Sequence, residues 1–421
     1  MKTTFVLYII KLKKVFAFPL MESLVEFTTD NVIPYFQPIL CAASNQIYSY
    51  EILGRFLEND GNAKSLGAFF SDPRTTHDEA LRVDRIVRRK ALEKYAQEKR
   101  NEYLFINIRL AWLDNFVDNP KDMPTINWAR ELGIDLNKIV IEITEEEFNA
   151  RDAHINILSY YKNAGCRIAL DDYGKNASNI ERLAFLQPDI IKINIDYIHK
   201  SEDSHHFRKY LKSLAAFAEA VGIEVLYEGI ETPKQLEICL SSRGRLYQGY
   251  LIAYPQASMK DAEVNHNVFS AAANDAYKKQ YKRTMRTDLL KSYLDSKVGY
   301  FLLENPSFYT KDDIDKYLSK LCEDIPAVIR IYLCNEQGEQ ITNNFEWNCG
   351  EIKYNGYLGH NWAWRGYFHE AMAVFISGKK SGLSTAYRDF TTKKKIFTYF
   401  YELTPDIYLF ADINRMPVIF N

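Results

Sequence analysis

Through the first 255 residues, short apolar runs alternate with longer stretches whose apolar positions recur at helical spacing. The runs Val32–Leu40, Tyr103–Ile108, Ile139–Thr144, Arg167–Asp171, Ile190–Ile193 and Glu224–Tyr227 predict strands. Between them Glu79–Gln97, Ile155–Ala164, Asn179–Leu186 and His206–Ala220 predict amphipathic helices. Nearly continuous apolar strands alternating with helices mean a parallel sheet covered on both faces. In a domain of this length, that pattern fits a closed α/β barrel of the (β/α)8 TIM type better than an open sheet.

After Pro255 the pattern changes. Phe269, Ala273, Tyr277, Tyr281, Met285, Leu289 and Tyr293 recur every four residues in a stretch, Gln256–Val298, that lacks Pro and Gly. It predicts one long amphipathic helix, its stripe serving either as a dimer seam or as packing on its own domains. From Asn305 the pattern turns α+β. Val328–Cys334 and Glu339–Thr342 flank a turn at Asn335-Glu336-Gln337-Gly338 and predict a hairpin. A helix at Trp364–Ile376 and strands at Leu383–Phe390, Lys395–Leu403 and Ile407–Asp412 follow. The organisation expected is an extension at 1–20, a barrel at 21–258, a linker helix at 259–303 and a small α+β sensory module at 304–421.

Composition narrows the classes. A chain of 421 residues exceeds one ordinary core, and 47% hydrophobic with 14% aromatic residues excludes disorder. The 53 basic and 55 acidic residues nearly cancel, so neither nucleic acid polymer nor an anionic membrane is an expected partner. The apolar run Phe5–Ile10 is too short to span a bilayer and no membrane insertion is expected. Six cysteines without a Cys-x-x-Cys pair suit reduced thiols in the cytoplasm.

The chemistry lies where polar residues interrupt the apolar runs. Asn107 ends Tyr-Leu-Phe-Ile-Asn, Glu142 lies within Ile-Val-Ile-Glu-Ile-Thr-Glu, Lys192 interrupts Asp-Ile-Ile-Lys-Ile-Asn, and Glu228 ends Val-Leu-Tyr-Glu. Asp171-Asp172 ends Arg-Ile-Ala-Leu, and adjacent carboxylates need a cation or a shared charge partner. In a parallel barrel these strand ends converge on one face. So many polar groups there, each costing roughly 1–3 kcal/mol if buried unpaired, point to a ligand.

In order along residues 31–258 stand Gln37-Pro38-Ile39, Tyr50-Glu51-Ile52-Leu53-Gly54-Arg55-Phe56, Asn107-Ile108, Glu142-Ile143-Thr144-Glu145, Asp171-Asp172-Tyr173-Gly174, Lys192-Ile193-Asn194, Glu228-Gly229-Ile230-Glu231 and Gln248-Gly249-Tyr250 with Pro255. This series resembles the EAL domain, whose members hydrolyse or bind the bacterial messenger cyclic di-GMP. The resemblance implies a modified (β/α)8 barrel that hydrolyses cyclic di-GMP to linear pGpG, with Mg²⁺ or Mn²⁺ as cofactor and two ions in the site. Glu51, Asn107, Glu142 and Asp171 resemble the ligands of one ion; Asp171 would bridge to a second, held also by Asp172 with Glu228 nearby. Two such ions about 3.5–4 Å apart stabilise an in-line displacement at phosphorus. Lys192 resembles the catalytic lysine, with Asp171 and Glu228 sharing the catalytic role. Arg55 resembles a phosphate clamp. Gln37 and Gln248 resemble substrate contacts, although hydrogen bonding at a barrel mouth would also explain them. Glu145 resembles the glutamate that steadies the loop after Asp171-Asp172. The family's barrels pair, so a homodimer is expected.

Residues from about 300 to 421, including Ile329-Arg330-Ile331-Tyr332 and Asn361-Trp362-Ala363-Trp364-Arg365-Gly366-Tyr367-Phe368, resemble the C-terminal domain of YkuI-type EAL proteins, similar to PAS and Cache sensor folds. The aromatic run either cups an unknown small ligand or is core packing. Two departures bear on turnover. Lys175-Asn176-Ala177-Ser178-Asn179 replaces the usual Thr-Gly-Tyr-Ser-Ser, and Asn194 stands where the family pattern is Lys-Ile-Asp. The readings are therefore a regulated phosphodiesterase, a catalytically weak or inactive receptor for cyclic di-GMP, or a scaffold. The retained charges argue against the last.

Overall fold

A computed structural model describes residues 27–144, 152–174, 183, 185–260, 262–310, 313–348 and 351–414. The 1–20 extension, Glu145, the loop 175–179 and most of the predicted helix 179–186 lie outside the described residues. The chain falls into two compact units divided after Tyr277.

The first unit is a barrel. Its strands are β1 (Val32–Cys41), β2 (Gln46–Leu57), β3 (Ala63–Ser65), β4 (Tyr103–Asn107), β5 (Ile139–Thr144), β6 (Arg167–Tyr173), β7 (Ile190–Ile193), β8 (Glu224–Tyr227) and β9 (Leu246–Tyr247). They form one nine-stranded sheet in the order β1-β9-β8-β7-β6-β5-β4-β2-β3, closed on itself by β1 pairing with β2. From β2 through β4 to β9 the neighbours run parallel, whereas β1 is antiparallel to both strands beside it. This is the modification of the (β/α)8 pattern.

Side-chain alternation divides the strand residues between two environments. Ile39, Phe105, Val140, Ala169, Ile190, Leu226 and Leu246 fill the barrel interior as one apolar plug. Their neighbours, among them Leu104, Ile141, Leu170, Ile191 and Val225, pack outward against the surrounding helices. One further step along the inward face of each strand reaches Gln37, Asn107, Glu142, Asp171, Lys192, Glu228 and Gln248. The same period of two that builds the core therefore sets a ring of polar groups on top of it.

In the second unit, β10 (Val328–Asn335), β11 (Asn344–Asn348), β12 (Glu351–Asn355), β13 (Ser381–Leu383), β14 (Tyr387–Arg388), β15 (Lys395–Thr404) and β16 (Ile407–Ile413) make a seven-stranded sheet. Its pairings are antiparallel. Leu409, Ala411 and Ile413 face a core shared with the helix Ile314–Asp324, while Tyr408 and Phe410 face the helix Gly366–Ile376. The predicted strand Glu339–Thr342 is a correction: it makes only isolated bridges, Gln340 to Cys334 and Glu339 to Asn361, and continuous pairing resumes at Asn344. Glu339 and Ile341 still bond the backbone of β10, but the Leu333 N–H is taken by the side chain of Thr342, so no continuous ladder forms.

The long helix is His266–Glu304, beginning later than the pattern suggests and running through Gly299. The period-four stripe forms its buried face only at the start. Phe269, Ala273 and Ala276 enter the first core and Leu290, Leu294, Val298 and Phe301 the second, while Tyr277, Tyr281, Met285 and Leu289 are exposed. At 3.6 residues per turn each step of four advances about 40°, so a stripe kept over five steps winds to the opposite side of the helix. Among the described residues no helix is long and apolar enough to cross a membrane, and the described cysteines are buried.

Candidate active site

At the carboxyl ends of the parallel strands the polar ring closes around Lys192. Its side chain is 1% exposed, and the ammonium lies 3.1 Å from Glu228 Oε2, 3.3 Å from Asp171 Oδ1 and 3.5 Å from Glu51 Oε1, and in direct contact with Glu142 Oε1. These carboxylates come from β2, β5, β6 and the residue after β8, so only barrel closure brings them together. Asn107 Nδ2 donates to Glu51 Oε1 at 3.2 Å, and Gln248 Nε2 to Glu51 Oε2 at 2.7 Å. Gln248 also donates to Gln37 Oε1, and Gln37 to the Ala253 carbonyl at 3.1 Å.

Electrostatics follow from this crowding. Burial alone would lower the Lys192 pKa, but Asp171, Glu142, Glu228 and Glu51 together hold it well above its ordinary value. Burial pushes the Glu142 carboxyl well up, against the pull of Lys192. Burial and the neighbouring Asp171 push Glu228 up to about 8. One ammonium faces more negative charge than it can balance. Glu142 Oε2 and Asp171 Oδ1 accept no hydrogen bond, and ligand oxygens of Asp171, Asp172 and Glu228 all lie within 4.8 Å of one another. Oxygen donors in surplus, some accepting no hydrogen bond, fit a hard divalent cation.

Asp171 and Asp172 share this region through a break in the strand. The β6–β7 register shifts between Leu170 and Tyr173, and Asp172 has φ +54°. Arg55 is placed apart from the ring: its guanidinium donates to the Gly54 carbonyl at 3.0 Å and lies 5.4 Å from the Tyr35 ring. It borders a cavity of about 190 Å³ that Asn107 also lines. A second cavity, about 240 Å³, is lined by Gln37, Glu51, Glu228, Gln248 and Tyr250. Glu145 lies outside the described residues.

Residues 21–255 match the family model of the EAL domain, more than half of the chain. The chain is an EAL-domain protein. Residues 275–419 match a second model, the EAL-domain associated signalling protein domain. The uncharacterized EAL-domain containing protein YkuI of Bacillus subtilis (strain 168) is 30% identical over 391 residues, 91% of this chain and 94% of that protein. The crystal structure of that YkuI protein, in complex with substrate c-di-GMP and calcium, matches with a TM-score of 0.81 at 29% identity, covering 93% of this chain and 98% of that one. The probable cyclic di-GMP phosphodiesterase PdeB of Escherichia coli (strain K12) is 27% identical over 238 residues, 55% of this chain and 43% of that protein.

Within the EAL domain, two features of the mouth had no role assigned to them by the motifs that contain them. Tyr250 lines the larger cavity and stacks on Tyr254 at 4.8 Å, both rings exposed. Asn194, noted only as a departure from the family pattern, is buried against Asp172, to which its Nδ2 donates. The tyrosine pair carries a weak sequence signal, its spacing of four. The Asn194 contact carries none.

Proposed function

We propose that the barrel is a divalent-metal-dependent phosphodiesterase that hydrolyses cyclic di-GMP to pGpG, using Mg²⁺ or Mn²⁺. The observation that carries this reading is the buried ammonium of Lys192 ringed by four carboxylates at the mouth of a closed barrel. The relative of known structure binds c-di-GMP with calcium. Glu51, Asn107, Glu142 and Asp171 would hold one ion, and Asp171, Asp172 and Glu228 a second. When bound, such ions neutralise phosphoryl charge and make water more acidic.

The remaining work falls to the chain's own groups. Lys192 stays protonated, so Nζ donates to the attacking water and to the phosphoryl oxygens as charge develops. Asp171 and Glu228 lie beside Nζ; with the Glu228 proton displaced, they would accept hydrogen bonds from that water. One carboxylate would take a single proton from it as its oxygen bonds phosphorus, the P–O bond to the ribose breaks and the ribose oxygen leaves to be protonated. Gln37 and Gln248, fixed by each other and by the Ala253 carbonyl, offer amides to a guanine or ribose. Arg55 at the neighbouring cavity suits a phosphate.

Conversion of cyclic di-GMP to pGpG by the purified chain, in Mg²⁺ and separately in Mn²⁺, tests the proposal, with Glu51→Ala as control. One observation favours a receptor instead: Asn194 removes a negative charge from the mouth. Tight binding in Ca²⁺ without product in either metal would establish that reading.

The pH dependence of metal uptake has a defined sign. Glu228 keeps its proton up to about 8, so an entering cation must displace it. Mn²⁺ affinity should rise with pH through about 8, by about tenfold per pH unit for each proton displaced, since Glu142 is held up as well as Glu228. Calorimetry across that range checks it, and a flat profile contradicts it.

The second unit supports the sensory half of the reading. Arg365 lies 4.4 Å from the Phe390 ring, 5.0 Å from Tyr387, 5.2 Å from Trp364 and 5.6 Å from Tyr367. The buried acids Asp389 and Asp412 are taken by Arg330. A guanidinium stacked among rings in this way suits a small anionic ligand. Thermal-shift measurements with small carboxylates, on the native chain and Arg365→Lys, test this.

A further inference from the structure

We propose that Asn194 is a positioning residue that builds the Asp171-Asp172 ligand pair without a cation, and thereby weakens the hold of the mouth on its second ion. The inference rests on the mouth being a divalent-cation site.

Adjacent strand residues point to opposite faces, so two neighbouring carboxylates share a face only where the backbone leaves the strand. Here it does so at Asp172, whose φ of +54° is unfavourable for a residue with a Cβ. Hydrogen bonds to its short side chain favour that conformation. Asn194 is 6% exposed and caps the helix Ile195–Asp203, its Oδ1 accepting from the Asp196 N–H at 2.8 Å. That bond fixes which end of the amide is oxygen, because a backbone N–H only donates. Nδ2 is thereby turned to Asp172 and donates to Oδ1. The cap and the clamp are two ends of one amide.

An aspartate at 194, the residue of the family pattern, would cap the helix equally well. Its other oxygen would then face Asp172 Oδ1 across a hydrogen-bond distance. Two carboxylates in that position need a cation or a shared proton between them. With aspartate, the metal completes the turn. With asparagine, the chain completes it alone and offers the ion one charge fewer.

The experiment compares the full chain with Asn194→Asp and Asn194→Ser, first in chelator and then with Mn²⁺ alone. Asn194→Asp should melt about 5 °C below the native chain in chelator. Mn²⁺ should close that gap, and calorimetry should show it binding about tenfold more tightly than to the native chain. Asn194→Ser keeps a capping oxygen but loses the donor to Asp172; it should melt lower in chelator with no gain in Mn²⁺ affinity. A purely structural cap would not tighten metal binding while lowering metal-free stability. Mn²⁺ affinity of Asn194→Asp within twofold of native overturns the inference alone, as does native-like melting of Asn194→Ser in chelator. Failure of every form to bind Mn²⁺ overturns the metal-dependent phosphodiesterase reading as well.

Discussion

Lys192→Met is expected to lower kcat by about 10²–10³-fold and to make the fold of the barrel depend on a divalent cation. On the proposed hydrolysis, the rate loss would follow from removing the donor that meets the developing phosphoryl charge. The stability loss has a separate cause. Lys192 is the ammonium on which Glu51, Glu142, Asp171 and Glu228 converge. Breaking a buried ion pair by removing one partner costs about 3–5 kcal/mol, because the remaining charge is left uncompensated. Methionine fills the volume of the stem, so the loss reads the charge and not a cavity. Mn²⁺ should restore much of the melting temperature, since it supplies the missing positive charge, but should not restore kcat. A variant that turns over at the native rate, or melts at the native temperature in chelator, would remove Lys192 from both roles.

Arg330→Met is expected to destabilise the second unit by about 3–5 kcal/mol while leaving the Mn²⁺ response of the barrel intact. Arg330 lies with Nη2 2.9 Å from Asp389 Oδ1 and Nε 2.7 Å from Asp412 Oδ2, all three side chains being almost wholly buried. Asp412 accepts further from Thr398 Oγ1 at 2.7 Å, and Asp389 from the Thr392 N–H and hydroxyl. These neighbours orient the carboxylates but carry no positive charge, so two buried anions would remain without their cation. Calorimetric or denaturant unfolding would show the transition of residues 278–421 moving to milder conditions. A shift equivalent to less than about 1 kcal/mol would mean that water reaches the pair more freely than its burial indicates.

Much of the site was legible because its geometry repeats that of the core. Lys192 interrupts Ile190-Ile191 and Ile193, and Glu142 interrupts Val140-Ile141 and Ile143. A charged residue on the inward face of a buried strand stands out against the period of two. Gln37 escapes that rule of position because β1 runs the other way, so its site residue precedes the plug residue Ile39 in the chain. Period alone could not show Asp171 and Asp172 bringing their oxygens together, since it places neighbours on opposite sides. Their approach depends on the left-handed turn at Asp172 and a partner 22 positions away. The long helix shows the opposite limit: a spacing of four looks like a stripe in the sequence and winds around the helix in space.

The seam between β1 and β9 has a kinetic consequence. The β1–β2 hairpin is local, but β9 supplies only Leu246 and Tyr247, which pair with Cys41 and Leu40. Gln248 and Glu51, whose hydrogen bond crosses the mouth beside this seam, are 197 positions apart. A nascent chain that has laid down β1 to β8 owns nearly every acidic group of the mouth and still has no mouth. Joining such distant segments is a slow step, placed late in folding by the loop it must close. Whatever ligand bridges Gln248 and Glu51 therefore acts as a latch on the last join of the barrel, slowing its opening and the exchange of the Leu246–Tyr247 amides.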